Sequence, residues 1–152
     1  MEHKFFPLFV DLNDKRCLVI GAGNIAYRKI KTLLKYGAMV EVITRDVAED
    51  RISELQGVKV SVKAFSEKDL ENVFLVVAAT NNSDFNKEIF EICNAKNILV
   101  NNMTSKFDMN ARFSAVYEGE SVQVAVSSMG YPKKSLEIRD NIKKMLEKNN
   151  CQ

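Results

Sequence analysis

No tryptophan occurs in the 152 residues, and there are only two prolines, six glycines, three cysteines and one histidine. Each scarcity excludes something. No segment is low in complexity, and no internal repeat is evident. A single histidine, His3, leaves no basis for a histidine-built metal site. Cys17, Cys93 and Cys151 are odd in number and far apart, with no CxxC pair. That spacing argues against a disulfide framework or a zinc ribbon, and for a reducing cytoplasm. No apolar run approaches the roughly 18 residues of a membrane span. Glu2, His3, Lys4 and Pro7 surround the only apolar patch near the start, which does not read as a signal peptide. Nor does either charge dominate: 22 Lys and Arg face 20 Asp and Glu, a net +2 that gives no reason to expect nucleic acid. The expectation is a cytoplasmic chain with neither membrane nor nucleic-acid partners.

What is present is a chain 46% hydrophobic and 28% charged, enough to bury a core in one domain with a short appendage. The apolar run Cys17–Ile20 predicts a buried strand, and Gly21-Ala22-Gly23 follows it directly. Residues 25–36 then repeat Ile30, Leu33 and Leu34 at helical spacing, and Gly37 provides the stop. Met39–Thr44 predicts the next strand, completing a right-handed βαβ unit. Further on, the pattern predicts a short helix over 47–55, strands over 58–62, 74–79 and 98–101, and a helical turn over 67–70. It also predicts a helix over 84–96 capped by Ser83 or Asp84, with Phe85, Ile89, Phe90 and Cys93 inward. Strands alternating with helices define a Rossmann-like, doubly wound α/β sheet.

The character changes after residue 101. Met103–Asn110 reads as a polar loop, and 111–116 and 121–127 as strands of a hairpin turning at Glu118-Gly119-Glu120. Met129–Pro132 reads as a turn before a final helix, capped by Ser135, that runs to about Lys148 with Leu136, Ile138 or Arg139, Ile142 and Leu146 along it. This divides the chain into a nucleotide-binding lobe, residues 1–111, and a hairpin-and-helix extension, residues 112–152.

Gly21-Ala22-Gly23-Asn24-Ile25-Ala26 is a G-x-G-x-x-A string between a strand and a helix. The first glycine allows the tight turn, the second lets the backbone approach a pyrophosphate, and Ala26 permits close packing of helix on strand. The helix N-terminus supplies positive potential and N–H groups, so Gly21, Gly23, Asn24 and Ile25 are candidate cofactor contacts. A tight turn without a ligand is the plain alternative. Where the second strand ends, Asp46 offers a carboxylate to a ribose hydroxyl and Arg45 offers a cation to a 2′-phosphate, a balance that leans to NAD over NADP. Thr80 follows a run of small residues, Val77-Ala78-Ala79, which reads equally as a path for a nucleotide over the sheet edge and as tight packing.

Several stretches together resemble one family. FPLFVDL before the glycine turn, CLVIGAGNIAYRKIKTLL across it, VVAATNN, VNNMT, and VAVSSMGYPKKSLEIRDNIKKML resemble the siroheme-synthase-type precorrin-2 dehydrogenases over nearly the whole chain. The resemblance implies NAD-dependent oxidation of precorrin-2 to sirohydrochlorin, with iron insertion in some members, by a homodimer built through the region after the nucleotide lobe. Two features depart from the family pattern. Thr104 stands where the family carries an aspartate treated as the catalytic acid or base, and the chain ends just past one helix where members continue. A threonine hydroxyl is no general base near neutral pH without strong activation. Thr104 and Asp108, four residues on, are therefore the candidate catalytic positions, although a solvated loop acid is the favoured reading of Asp108.

The implied substrate is a polycarboxylate macrocycle, so its contacts should be cationic. Lys106, Arg112, Lys133, Lys134 and Arg139 are the candidates, arginine gripping carboxylates in a fork and lysine acting as a point charge; a solvated basic face is the plain alternative. Ser127 and Ser128 could donate to the macrocycle or simply shape the turn. Two alternatives stand beside the dehydrogenase. One is an NAD- or tetrapyrrole-binding module without the usual acid or base; the other is a dinucleotide-gated regulatory domain.

Overall fold

Five parallel strands form the central sheet, in the order β3-β2-β1-β4-β5. They are β1 (Arg16–Ile20), β2 (Met39–Thr44), β3 (Val58–Val62), β4 (Leu75–Ala78) and β5 (Leu99–Asn102). In the computed structural model residues 4–46 and 50–149 are described, and the chain divides into two units, Met1–Ala111 and Arg112–Gln152. His3, Cys151 and the first three residues of the helix expected over 47–55 lie outside the described residues. Of that expected helix, Asp50–Ser53 (α2) is observed.

The sheet grows outward from β1, whose register sets Ile20 beside both Ile43 and Ala78. Connections run outward from β1 first on one side and then on the other. The carboxyl ends of β1 and β4 therefore open a crevice where the winding reverses. Helix α1 (Asn24–Lys35) covers one face and buries Ala26, Ile30 and Leu33 completely. Each large aliphatic group so buried contributes about 1.5–3 kcal/mol. The helix stops because Ala38 N–H bonds Leu33 O at 3.1 Å and Gly37 N–H bonds Leu34 O at 3.0 Å, the paired closure of a Schellman end.

Helix α3 (Ser83–Ala95) covers the other face. There Leu18, Ile20, Ile43, Val76, Ala78 and Val100 pack with Ile89 and Cys93 of the helix, with Phe65, Phe85 and Phe90 alongside. Burial pushes the Cys17 and Cys93 thiols up to about 11. The cap of α3 differs from expectation. Asn82, not Ser83 or Asp84, is the N-cap, and its Oδ1 accepts from Phe85 N–H at 3.0 Å. Beyond β5 the chain turns back, and Asn110 lies along the outer edge of that strand. Its Oδ1 accepts from Val100 N–H at 2.6 Å, and its own N–H donates to Val100 O at 3.1 Å.

In the second unit, β6 (Ala115–Glu118) and β7 (Gln123–Val126) form an antiparallel hairpin closed by Gly119 N–H on Val122 O at 2.8 Å. Helix α4 (Pro132–Asn149) packs on both strands. It starts four residues earlier than a Ser135 cap implies. Pro132 takes the first helical position, where no intrahelical N–H partner is lost. Ser135 is then inside the helix and buried, its hydroxyl 2.8 Å from that of Ser128. The half-buried stripe runs through Arg139, Ile142 and Leu146, whereas Leu136 and Ile138 are exposed.

Candidate dinucleotide site

The carboxyl edge of the sheet holds a cleft of about 630 Å³, within the range that suits a cofactor. Gly21, Ala22 and Gly23 form its floor after β1, Thr44, Arg45 and Asp46 one wall after β2, and Ala79 to Asn82 the opposite wall after β4. The two glycines do different work. Gly21 has φ +109, and a Cβ there would stand 2.4 Å from Ala79 O. Only glycine fits between β1 and β4. Gly23 has ordinary extended backbone, and a Cβ there would meet nothing within 4 Å. The space beside it is open toward the cleft, at the height where a diphosphate would rest on helix α1.

That helix end is prepared for an anion. Its N-cap is Gly23 with no side-chain cap bond, and its first turn carries no acid. The first N–H groups have no intrahelical acceptor and the dipole is positive there. Asn24 and Ile25 contribute backbone to this end, while their side chains turn elsewhere. Asn24 Oδ1 accepts from Arg51 Nη2 at 2.8 Å, and Ile25 is half exposed. Arg51 also stacks over the Tyr27 ring at 4.4 Å.

Arg45, Asp46 and Thr80, all expected from sequence, line the cleft. The Arg45 guanidinium lies 5.7 Å from the Phe85 ring centre, and Phe85 meets Phe65 edge-on at 6.3 Å. Lys63, Phe65, Asp84, Phe85 and Glu88 also line it and were not anticipated. Lys63 is held by Asp69. Burial works to raise the Asp69 carboxyl, but bonds from Lys63 and Ser66 outweigh it and hold it below its ordinary value. The signal for Lys63 and Phe65 was available in principle, since parallel strands end at one edge and β3 finishes at Val62.

The two positions weighed for catalysis lie in the loop after β5. The Thr104 hydroxyl donates to Asn102 Oδ1 at 2.9 Å and accepts from Asn86 Nδ2 at 3.1 Å. It is tied to its neighbours rather than poised as a base. Asp108 is half-buried, and its N–H bonds Ser105 Oγ at 3.1 Å. Lys106, in the same loop, is exposed beside Phe107, at 5.3 Å from its ring. The remaining substrate candidates belong to the second unit. Lys133 and Lys134 are exposed in the first turn of α4, which holds no acid. Arg139 is engaged by its neighbour, with Nη2 and Nε at 2.6 and 2.8 Å from Asp140 Oδ1. Ser128 is bonded to Ser135, Ser127 is exposed, and Arg112 is half-buried. Among the described residues no group of three or more His, Cys, Asp or Glu is arranged to hold a metal. No described helix is long and apolar enough to cross a membrane.

Comparison with known proteins agrees with this geometry. Residues 8–115 match the family described as "Putative NAD(P)-binding". The siroheme synthase of Acinetobacter baylyi is 33% identical over 147 residues, covering 94% of this chain and 32% of that protein. That of Mannheimia succiniciproducens is 36% identical over 134 residues, covering 83% and 27%. The solved structure titled "SirC, precorrin-2 dehydrogenase" matches with a TM-score of 0.75 at 32% identity, over 95% of this chain and 71% of that one. The chain thus spans about a third of the length of the siroheme synthases it matches. Fold and glycine turn define a dinucleotide-binding protein of the Rossmann class. Within that class, the chain belongs to the siroheme-synthase-type precorrin-2 dehydrogenase family and carries an NAD(P)-binding domain.

Proposed function

We propose that this chain oxidises precorrin-2 to sirohydrochlorin, with NAD held in the cleft after β1 and β4. The observation that carries the reading is the open space at Gly23 beside an uncapped, acid-free helix end. When bound there, NAD supplies the hydride acceptor. The chain's own task is to hold and orient. Backbone N–H groups of residues 24–26 take the diphosphate, Asp46 accepts from the adenosine ribose, and Thr80 contacts the nucleotide where it crosses β4. Gly21 keeps β1 and β4 close enough for one ligand to span both.

Oxidation removes a hydride and a proton from the macrocycle. With the Thr104 hydroxyl engaged by Asn86 and Asn102, the proton passes to water, to a substrate carboxylate or to Asp108. Lys106, Arg112, Lys133 and Lys134 meet the substrate carboxylates, with Arg139, Ser127 and Ser128 as further contacts. Lysines in the first turn of a helix run against its dipole, which an anionic partner would offset. We further propose a homodimer through residues 112–152, supported by the exposed Val122, Leu136 and Met145 of that unit. A cytoplasmic setting is supported by the unpaired Cys17 and Cys93.

The test is the appearance of NADH absorbance when enzymatically generated precorrin-2 and NAD are mixed with the chain. Stoichiometric NADH and sirohydrochlorin are expected. A flat trace together with calorimetric NAD binding would favour the module without acid or base, which the bonded state of Thr104 supports. Absence of any dinucleotide binding would overturn the reading altogether.

A further inference from the structure

Asn86 occupies an inward position of α3, between Phe85 and Ile89, and is completely buried. A buried amide is costly unless its donors and acceptors are paired. Here all of them are. Asn86 Oδ1 accepts from the Thr80 N–H at 3.2 Å and the Thr80 hydroxyl at 2.6 Å. Its Nδ2 donates to Thr80 O at 3.0 Å and to the Thr104 hydroxyl at 3.1 Å. Thr104 carries the connection onward, its hydroxyl and its N–H each reaching Asn102 Oδ1 at 2.9 Å.

The two threonines differ in what they face. Thr80 follows β4 and lines the cleft, whereas Thr104 follows β5 and does not. One amide therefore bridges the ends of neighbouring strands, with the cofactor cleft on one side and the loop of Thr104 and Asp108 on the other. An apolar side chain of similar volume could fill the space, so packing alone does not call for asparagine.

We propose that Asn86 is a positioning residue that couples NAD binding at Thr80 to the placement of Thr104 and its loop. The inference rests on NAD occupying the proposed cleft. A nucleotide that fixes the Thr80 backbone fixes the Asn86 amide, and the amide fixes the Thr104 hydroxyl. Coupling of this kind is reciprocal, so an alteration at Thr104 is felt in NAD affinity although Thr104 is not in the cleft.

The experiment is calorimetric titration of NAD into the full chain without tetrapyrrole, for wild type, Thr104→Val, Thr104→Ser and Asn86→Asp. Thr104→Val removes the acceptor of Asn86 Nδ2 and should weaken NAD binding about fivefold or more. Thr104→Ser keeps the hydroxyl and should restore wild-type affinity. Asn86→Asp keeps the acceptors but loses both donors, and should weaken binding likewise. Adding Thr104→Val in that background should change nothing further. In parallel, NAD should slow amide exchange at Thr104 in wild type but not in Thr104→Val. Both results are required. Equal NAD affinity of Thr104→Val and wild type, or unaltered exchange at Thr104 on NAD binding, overturns the coupling. A purely structural Asn86 would lower the melting temperature without either effect. Should Asn86→Asp lose cooperative melting, the Val and Ser variants decide alone. Wild type that binds no NAD overturns both the cleft assignment and the coupling; wild type that binds NAD with no Thr104 effect overturns only the coupling.

Discussion

Gly21 and Ala79 are in backbone contact across the β1–β4 junction: a methyl group on Gly21 would stand 2.4 Å from the Ala79 carbonyl oxygen. Gly23, two residues on, touches nothing on its open side. The two glycines of one motif should therefore fail in different ways. Gly21→Ala adds both the clash and a disfavoured positive φ, and is expected to cost about 2–4 kcal/mol in denaturant unfolding. Gly23→Val should melt within about 2 °C of wild type, yet show no NAD binding by calorimetry.

Acid should find a specific weak point at Glu41. Its carboxylate, largely buried on β2, is held by Arg16 Nη2 at 2.9 Å and Lys59 Nζ at 3.3 Å. Burial alone would raise this carboxyl, but the bonds from Arg16 and Lys59 outweigh it and hold it below the ordinary value of 4.5. Because the folded value is the lower one, the contribution is complete above 4.5 and disappears as pH falls through the folded value. Glu41→Gln should cost about 1–2 kcal/mol at neutral pH. Its stability should then fall less than that of wild type as pH drops below 4.5, as chemical unfolding across that range would record.

The lysines at the start of α4 should act on substrate capture rather than on chemistry. Lys133→Ala with Lys134→Ala is expected to raise KM for precorrin-2 about tenfold, with kcat changed by less than about twofold. Added salt should erode the wild-type advantage. Arg139→Ala should matter less, since Asp140 already occupies its guanidinium.

Iron insertion should be slow. Removing two pyrrole protons needs a base beside the macrocycle. The Thr104 hydroxyl hydrogen is directed at Asn102, which leaves Asp108 as the only acid of that loop. With precorrin-2, NAD and ferrous iron supplied together, sirohydrochlorin should accumulate, followed by its absorbance. Siroheme forming faster than in a protein-free control would refute this expectation.

How far the sequence foretold these features depends on the range of the forces involved. Strand, glycine turn, helix and strand over residues 16–44 were legible because each is set by local periodicity and by backbone freedom at Gly21. The network around Asn86 was not. A polar residue at an inward helical position declares only that partners must exist, and those partners, Thr80 and Thr104, are supplied by two separate strand ends. Ser135 misled for a related reason. It has the chemistry of a cap, but its hydroxyl is directed at Ser128, and Pro132 had already fixed the helix start.

The return of the chain along β5 has a consequence for solubility. An uncovered edge strand is a template on which the strand of another molecule can add. Asn110 takes both the N–H and the carbonyl of Val100, and its Nδ2 reaches Ile98 O at 3.1 Å, so this side of the sheet offers no such template at those groups. The loop assigned to the chemistry is thus also the guard of an edge. Loosening residues 103–110 should reveal itself first as polymerisation of the protein, before any loss of turnover is measured.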